Sequence, residues 1–241
     1  MGCYIIRTFV IKTLSDIAVY VVGNQVGIGL REIAYWRALG DDVSDKFNLA
    51  ETRKPPIHVD FEFLLEQNDD IVAWIYSPDT PINYPVVQTA DNEYYLRRLV
   101  DGSTNPYGTI FLDYRNASDF YDWNSIIYGH NMKNESMFGT LLLYKEQSYF
   151  EEHPELYLIS PDRSYKIILI AGFETDAASN IYNSFNADNA QKTLLLEAWL
   201  NASDFDSKFV ASENSRFITL STCSYESDDA RYVLVGVLES Y

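Results

Sequence analysis

The sequence predicts a mostly β domain, a barrel or a sandwich, preceded by an N-terminal helical piece. Its 241 residues include 19 Tyr and 13 Phe. Together with frequent Val, Ile and Thr, these aromatic residues favour strands over an all-helical fold. Many short apolar runs are separated by turn-forming residues, which is the pattern of antiparallel barrels and sandwiches.

The N-terminal residues 4–22, YIIRTFVIKTLSDIAVYVV, are apolar but contain Arg7, Lys12 and Asp16. A membrane-spanning helix needs about 20 nearly charge-free residues, and charges in mid-membrane are costly. We therefore expect an amphipathic helix that packs on the domain, with a membrane tether as the alternative.

A second amphipathic helix is predicted over residues 29–39, where apolar residues recur at helical spacing. The polar stretch 40–56 ends in two prolines and is the linker candidate. These features divide the chain into an N-terminal segment, residues 1–56, and a main domain, residues 57–241.

The main domain begins with a short helix predicted over residues 60–67, with Asp60 as its N-cap. A long helix is predicted over residues 186–201, capped by Asn186 or Asp188, and a weaker one near 136–143. Strand-like runs cover residues 71–88, broken by three prolines, and residues 108–113, 124–130, 156–160, 165–174, 216–223 and 231–238.

Charge and cysteine content exclude several kinds of function. The net charge of −17 and the pI of about 4.4 argue against a nucleic-acid partner, because phosphate binding needs a basic face. Cys3 and Cys223 lie at opposite ends of the chain and make a poor disulfide framework. The three histidines and two cysteines lack the spacing of zinc ligands, so a four-ligand zinc site is not expected.

One cysteine, Cys223, ends a strand-like run, and Arg231 starts the next one after a polar, acidic loop. If the two strands form a hairpin, these residues face each other about 5 Å apart. A nucleophilic thiol also needs a proton-transfer partner, and His130, at the end of an apolar strand, is the best placed histidine. Each residue also has a structural interpretation: a buried inert thiol, a satisfied histidine, and an arginine that pairs with Asp228 or Asp229.

Four blocks of the sequence, which together cover about residues 60–240, carry a family resemblance. TLSTC at 219–223, followed by Arg231, resembles the active-site motif of the sortases, and YGHN at 128–131 resembles their catalytic-histidine motif. The longer blocks, in the correct order, are residues 68–96, 108–116 and 126–132 and the helix inserted before the cysteine strand, and they resemble the class B sortases. The resemblance implies a closed eight-stranded β-barrel with an N-terminal helical extension and a long helix inserted before the catalytic-cysteine strand.

The resemblance also implies an activity, that of a cysteine transpeptidase that needs no metal or other cofactor. Cys223 would attack the carbonyl after the threonine of a sorting motif, NPxTN or PxTG-like, near the C-terminus of a surface protein. His130 would exchange protons with the leaving and incoming amines, and Arg231 would bind the oxyanion or a neighbouring carbonyl. The thioester would then pass to an amine of the cell wall, such as a peptidoglycan cross-bridge, or to an amine of a pilin.

Further residues are expected to bind the substrate. Strand alternation places Ser221 on the face of Cys223 and Tyr128 on the face of His130, and Thr222 is adjacent. The resemblance nominates Asn92 and Leu96, whose alternatives are a turn residue and a core leucine. Residues 174–182 are expected to form a wall of the groove.

The implied location is the extracellular face of a Gram-positive cell membrane or the cell wall. Two other functions stay open from the residues: an endopeptidase that only hydrolyses, and a non-catalytic barrel that binds extended peptides. The acidic loop after Cys223 would raise the pKa of its thiol. We therefore expect slow alkylation at pH 7, with an apparent pKa above about 8.5, the value of a free thiol.

Overall fold

The computed structural model of the chain describes residues 9–14, 17–22, 25–28, 55–223 and 229–240. The chain divides into two compact units, Met1–Arg53 and Lys54–Tyr241. No helix within these described ranges is long and apolar enough to cross a membrane.

The described part of the first unit is a three-stranded antiparallel sheet in the order β1-β2-β3: β1 (Phe9–Leu14), β2 (Ile17–Val22) and β3 (Gln25–Ile28). The helix predicted over residues 4–22 is therefore wrong for its described part. Its runs are rich in Val, Ile and Tyr, which prefer extended backbone, and Ser-Asp and Gly-Asn pairs between them are turn-forming types. The helix expected at 29–39, and the linker at 40–56 up to residue 54, lie outside the described residues.

The second unit contains a closed barrel with the strand order β10-β11-β9-β8-β4-β5-β6-β7, which confirms the predicted eight-stranded barrel. Two of the pairings, β5 with β6 and β7 with β10, are parallel, and the latter closes the barrel. The strands are β4 (Ile71–Tyr76), β5 (Asn83–Val87), β6 (Phe111–Leu112), β7 (Asn124–Tyr128), β8 (Glu155–Ile159), β9 (Ser164–Asp176), β10 (Phe217–Cys223) and β11 (Ala230–Ser240).

The first and the last α-helix of this unit begin at aspartate caps. In α1 (Phe61–Gln67) the carboxylate of Asp60 accepts the backbone N–H of Phe63 at 3.0 Å, as predicted. A short α2 (Gln147–Glu152) follows, and the inserted long helix is α3 (Asn189–Ala202). Asp188 and Gln191 form a capping box at its start. The remaining helical turns are 3-10 helices at Tyr94–Arg97, Gly139–Lys145 and Asn180–Asn186.

Strand β10 separates two apolar clusters. Ile218 and Leu220 belong to the large cluster that fills the barrel. On the opposite face, Phe217 packs with Trp123, which directly precedes β7, and with Trp199 of α3. The two indole rings stack with centroids 5.3 Å apart. Burial on both faces fixes the register of β10, because a shift of one residue would exchange its two faces. The position of its last residue, Cys223, is thereby fixed as well.

Candidate active site

Three neighbouring strands place the three predicted catalytic residues side by side. Strand β10 lies between β7 and β11, and its last residue, Cys223, is in register with Arg231 of β11. On the other side β7 runs parallel to β10 with Tyr128 opposite Ser221, and the N–H of Gly129 donates to the carbonyl of Ser221 at 3.1 Å. Two residues further along each chain come His130 and Cys223. The backbone order is therefore histidine, cysteine, arginine at one end of the barrel.

The His130 imidazole is held by a backbone carbonyl of the 3-10 helix Tyr94–Arg97. Its Nε2 lies 3.0 Å from the carbonyl oxygen of Leu96. Since a carbonyl oxygen only accepts hydrogen bonds, Nε2 carries the proton in this arrangement, and Nδ1 is left for proton exchange with a substrate. The ring is half-buried, so it is oriented by the protein and still accessible from the pocket.

The position of the Leu96 carbonyl, which binds His130, depends on a nearby glycine. Gly108 has φ +58°, and a Cβ atom there would lie 2.4 Å from the carbonyl oxygen of Tyr95 and 2.5 Å from that of Leu96. Only glycine tolerates both the left-handed backbone and this approach. The loop around Gly108 therefore contributes to the orientation of the histidine without touching it.

Arg231 is the second residue of β11 and lies opposite Cys223. Its Nη1 donates to the carbonyl of Ala230 at 3.0 Å, and the side chain is half-buried and lines the pocket. The carbonyl of neighbouring Asp229 accepts the N–H of Ala177 at 3.1 Å, which ties β11 to the pocket wall that follows β9. Asp228, the other proposed partner of Arg231, lies outside the described residues, as does the rest of the acidic loop 224–228.

A pocket of about 460 Å³ opens over this end of the barrel. It brings together every predicted site residue whose side chain the structure describes, and the predicted wall 174–182 contributes several residues. The lining is Asn92, Leu96, Thr109, Phe111, Arg115, Tyr128, Gly129, His130, Ala177, Ala178, Ser179, Tyr182, Asn183, Ser221, Thr222 and Arg231. A cavity with mixed apolar walls and a few convergent polar groups is the usual form of a ligand site.

Asn92 and Leu96, whose alternatives were structural, both face this pocket. Leu96 is 39% exposed, which excludes the core interpretation. Asn92 also has a structural part: its Oδ1 accepts the N–H of Tyr114 at 2.9 Å, and its Nδ2 donates to Asp113 at 3.1 Å. Asn92 is thus held rigidly at the edge of the pocket.

The two hydroxyl residues before Cys223 differ in their hydrogen bonding. Ser221 is buried, and its Oγ lies 2.8 Å from the hydroxyl of Tyr182. Thr222 is 2% exposed, and its Oγ1 has no hydrogen-bond partner among the described residues. A buried hydroxyl without a partner is costly, so Thr222 has hydrogen-bonding capacity available for a bound molecule.

Behind the pocket lies a buried carboxylate that the sequence did not nominate. Asp113 is 0% exposed and accepts hydrogen bonds from Tyr128 Oη at 2.9 Å and from Arg115 Nε at 2.9 Å and Nη2 at 2.8 Å. Burial disfavours its charged form, but the hydrogen bonds from Arg115 and Tyr128 outweigh this and lower the pKa of Asp113. Burial and the Asp113 carboxylate together raise the pKa of Tyr128, so that its phenol stays protonated.

Asp113 and Arg115 were missed because their signal is weak in one sequence. They follow the two-residue strand β6, and charged residues at the end of a strand are mostly exposed to solvent. Within the described ranges, no group of three or more His, Cys, Asp or Glu side chains could hold a metal ion.

The chain is similar to proteins of known type along almost its whole length. A sortase B of Listeria monocytogenes is 32% identical over 241 residues, covering 97% of this chain and 98% of that protein. The structure of a Staphylococcus aureus sortase B–substrate complex matches with a TM-score of 0.72 at 28% identity, covering 87% of this chain and 97% of that one.

A Streptococcus pyogenes class B sortase involved in pilus biogenesis matches with a TM-score of 0.69 at 34% identity, covering 75% of this chain and 98% of that one. No protein-family model matches the chain. The barrel, the pocket and these similarities lead to one assignment: the chain belongs to the class B sortases and is a cysteine transpeptidase.

Proposed function

We propose that this enzyme cleaves a sorting motif of the NPxTN or PxTG-like kind near the C-terminus of surface proteins, and joins the new carboxyl end to a cell-wall or pilin amine. The observation that carries the proposal is the order of His130, Cys223 and Arg231 on three adjacent strands. This order flanks one thiol with a proton carrier and a cation, as nucleophilic acyl transfer requires.

The first half of the reaction forms a thioester. The Cys223 thiolate bonds to the carbonyl carbon after the motif threonine, and the carbonyl oxygen becomes an oxyanion. Arg231 donates hydrogen bonds to this oxyanion or to the adjacent carbonyl. The carbon–nitrogen bond then breaks, and His130, as imidazolium, gives its proton to the leaving amine.

The second half reverses these proton movements. An incoming amine attacks the thioester carbon and gives up a proton to neutral His130 as the new amide forms and the thiolate leaves. The solved relatives support such partners: one is a sortase B–substrate complex, one is a sortase B complexed with triglycine, and one takes part in pilus biogenesis.

The remaining polar groups of the pocket would bind the motif backbone and side chains. Thr222 offers its buried hydroxyl, while Asn92, Leu96, Tyr128 and Ser221 supply the walls. The substrates proposed here are surface proteins and wall amines, so we place the domain at the extracellular face of the cell membrane.

The test incubates the purified protein with fluorogenic peptides carrying NPQTN, LPNTG or a scrambled motif, each with and without triglycine. Mass spectrometry should show an acyl adduct on Cys223 and, with triglycine, an amide-linked product. Cys223→Ala should give neither. Hydrolysis that triglycine never diverts would support the endopeptidase instead, and peptide binding without an adduct would support a non-catalytic barrel.

A further inference from the structure

The Asp113–Arg115 pair has more hydrogen bonds than an ion pair needs. Arg115 Nε and Nη2 hold the two carboxylate oxygens of Asp113, and the Arg115 backbone N–H also donates to Asp113 at 3.0 Å. Such a two-pronged arrangement fixes the plane of the guanidinium group. The carboxylate is fully buried, while 29% of the Arg115 side chain stays exposed at the pocket.

The outer edge of the same guanidinium group reaches the 3-10 helix Asn180–Asn186. Nη2 donates to the carbonyl of Tyr182 at 2.8 Å, and Nη1 donates to Asn183 Oδ1 at 3.1 Å. The group also lies over the Phe185 ring, 5.0 Å from its centroid. One planar group thus connects the end of β6 to the helix that carries Tyr182.

Asp113 connects the remaining pocket walls. It accepts from Tyr128 of β7 and from Asn92, and the rings of Tyr128 and Tyr182 are stacked with centroids 6.1 Å apart. The Tyr182 hydroxyl in turn meets Ser221, two residues before the cysteine. The spacing of the walls that carry Asn92, Tyr128 and Tyr182 therefore depends on the Asp113–Arg115 pair.

We propose that Arg115, held in plane by Asp113, is a positioning residue that sets the spacing between the Tyr128 and Tyr182 walls, and thereby the affinity for the sorting-motif peptide. This inference rests on the proposed function, since the pocket must bind that peptide. Arg115 takes no part in bond making. Lysine cannot replace it, because an ammonium group lacks the planar fork that binds Asp113 and the Tyr182 carbonyl together.

The test compares Arg115→Lys and Arg115→Met with the wild-type enzyme in steady-state assays. We expect KM for the motif peptide to rise roughly tenfold in both variants, equal to about 1.4 kcal/mol of lost binding. KM for triglycine and the rate of Cys223 alkylation should change less than about twofold, since neither depends on the spacing of the two walls. Arg115→Lys keeps the charge beside Asp113, so its thermal stability should stay closer to that of the wild type.

Lys166→Met is the matched control, because Lys166 pairs with Glu155 on β8, away from the pocket lining. It should leave all three readouts unchanged. If Arg115→Met does not fold, Asn183→Ala removes one acceptor of the guanidinium and should raise the peptide KM severalfold by itself.

A wild-type KM for the motif peptide in Arg115→Lys would overturn the inference. So would an equal rise of this KM in Lys166→Met, because the rise would then follow lost stability and not the spacing of the two walls. These results are distinct from a failure of the proposed function, in which the wild-type protein itself would not turn over any motif peptide.

Discussion

Arg231 occupies a position that a lysine could fill by charge but not by geometry. It is in register with Cys223, and a guanidinium group offers several N–H donors in a fixed plane. Because loss of one oxyanion donor typically costs roughly 10²- to 10³-fold in kcat, we expect Arg231→Lys to lose about 100-fold in kcat/KM for the motif peptide. Arg163→Lys, which alters an exposed arginine outside the pocket, is the control. Near wild-type turnover by Arg231→Lys would remove the oxyanion role.

A substitution of Gly108 tests whether the carbonyl of Leu96 orients His130. In Gly108→Ala the new Cβ would meet the carbonyl oxygen of Leu96 at 2.5 Å and displace the hydrogen-bond partner of His130. We expect about a tenfold loss in kcat and a shifted pH–rate profile, because the imidazole loses its fixed orientation.

Gly102→Ala is a close control for this change. Gly102 also has a positive φ, +78°, but a Cβ there would meet only the Tyr94 hydroxyl, at 3.8 Å. Both variants should lose about 1 kcal/mol of stability from the left-handed backbone. Gly108→Ala should lose more, because its Cβ overlaps two carbonyl oxygens, and only Gly108→Ala should lose activity. Equal activities would show that the Leu96 carbonyl does not orient His130.

At the residue scale the sequence nominated residues that line the pocket, but not the charged pair behind them. Alternation and the family motifs nominate Cys223, His130, Arg231 and the groove residues. The structure brings those whose side chains it describes to one pocket, and their roles stay predictions. Arg115 was not found because its importance comes from contacts 67 and 68 residues away in the chain, with Tyr182 and Asn183. A single sequence gives no signal for such pairs.

Among the elements, caps and long amphipathic segments were predictable, and short or ambiguous ones were not. Helices α1 and α3 begin within a few residues of their expected starts, at Asp60 and Asp188. Residues 9–14, 17–22 and 25–28 form three strands, although one amphipathic helix was expected over residues 4–22. Short apolar runs fit both the helical and the strand periodicity. Their high content of β-branched residues should therefore have decided the prediction in favour of strands.

The capping box of α3 gives a prediction for this element. Asp188 accepts the backbone N–H of Gln191 at 2.9 Å, and Gln191 Oε1 accepts the N–H of Asp188 at 2.9 Å. Asp188→Ala should lower the free energy of unfolding by about 1 kcal/mol, as measured by urea denaturation. Asp206→Ala, which removes an exposed ion pair with Lys208, should cost less than about 0.5 kcal/mol. Equal effects would mean that the cap adds nothing.

At the scale of the whole molecule, the barrel followed from the family motifs, but its closure did not follow from the pattern of strands. The strand runs alone allowed a sandwich. The closing pair joins β7 and β10 in parallel, with Thr219 of β10 opposite Ile126 of β7, across a long stretch of chain that contains α2, α3, β8 and β9. Parallel neighbours must be joined by a crossover, and this crossover brings His130 and Cys223 to the same end.

The stability of this closed barrel should depend on pH through Asp113. Its pKa is lowered in the folded state, so the stability it contributes is fully present above its unfolded pKa near about 4 and is lost as pH falls through the folded pKa. Asp113→Asn leaves Arg115 and Tyr128 without their shared acceptor. We expect a loss of about 3 kcal/mol at pH 7, the lower end for a broken buried pair, because Arg115 keeps some exposure to water.

The difference between wild type and Asp113→Asn should therefore shrink as pH is lowered from 7 to 3, which urea unfolding at several pH values will measure. Asp204→Asn should show a pH dependence of stability with the opposite sign. Burial raises the pKa of Asp204, so its charged form opposes folding at neutral pH. This penalty disappears in acid, where the carboxyl group is protonated. A difference for Asp113→Asn that is constant between pH 7 and pH 3 would show that the carboxylate stabilises the barrel by shape alone, without its charge.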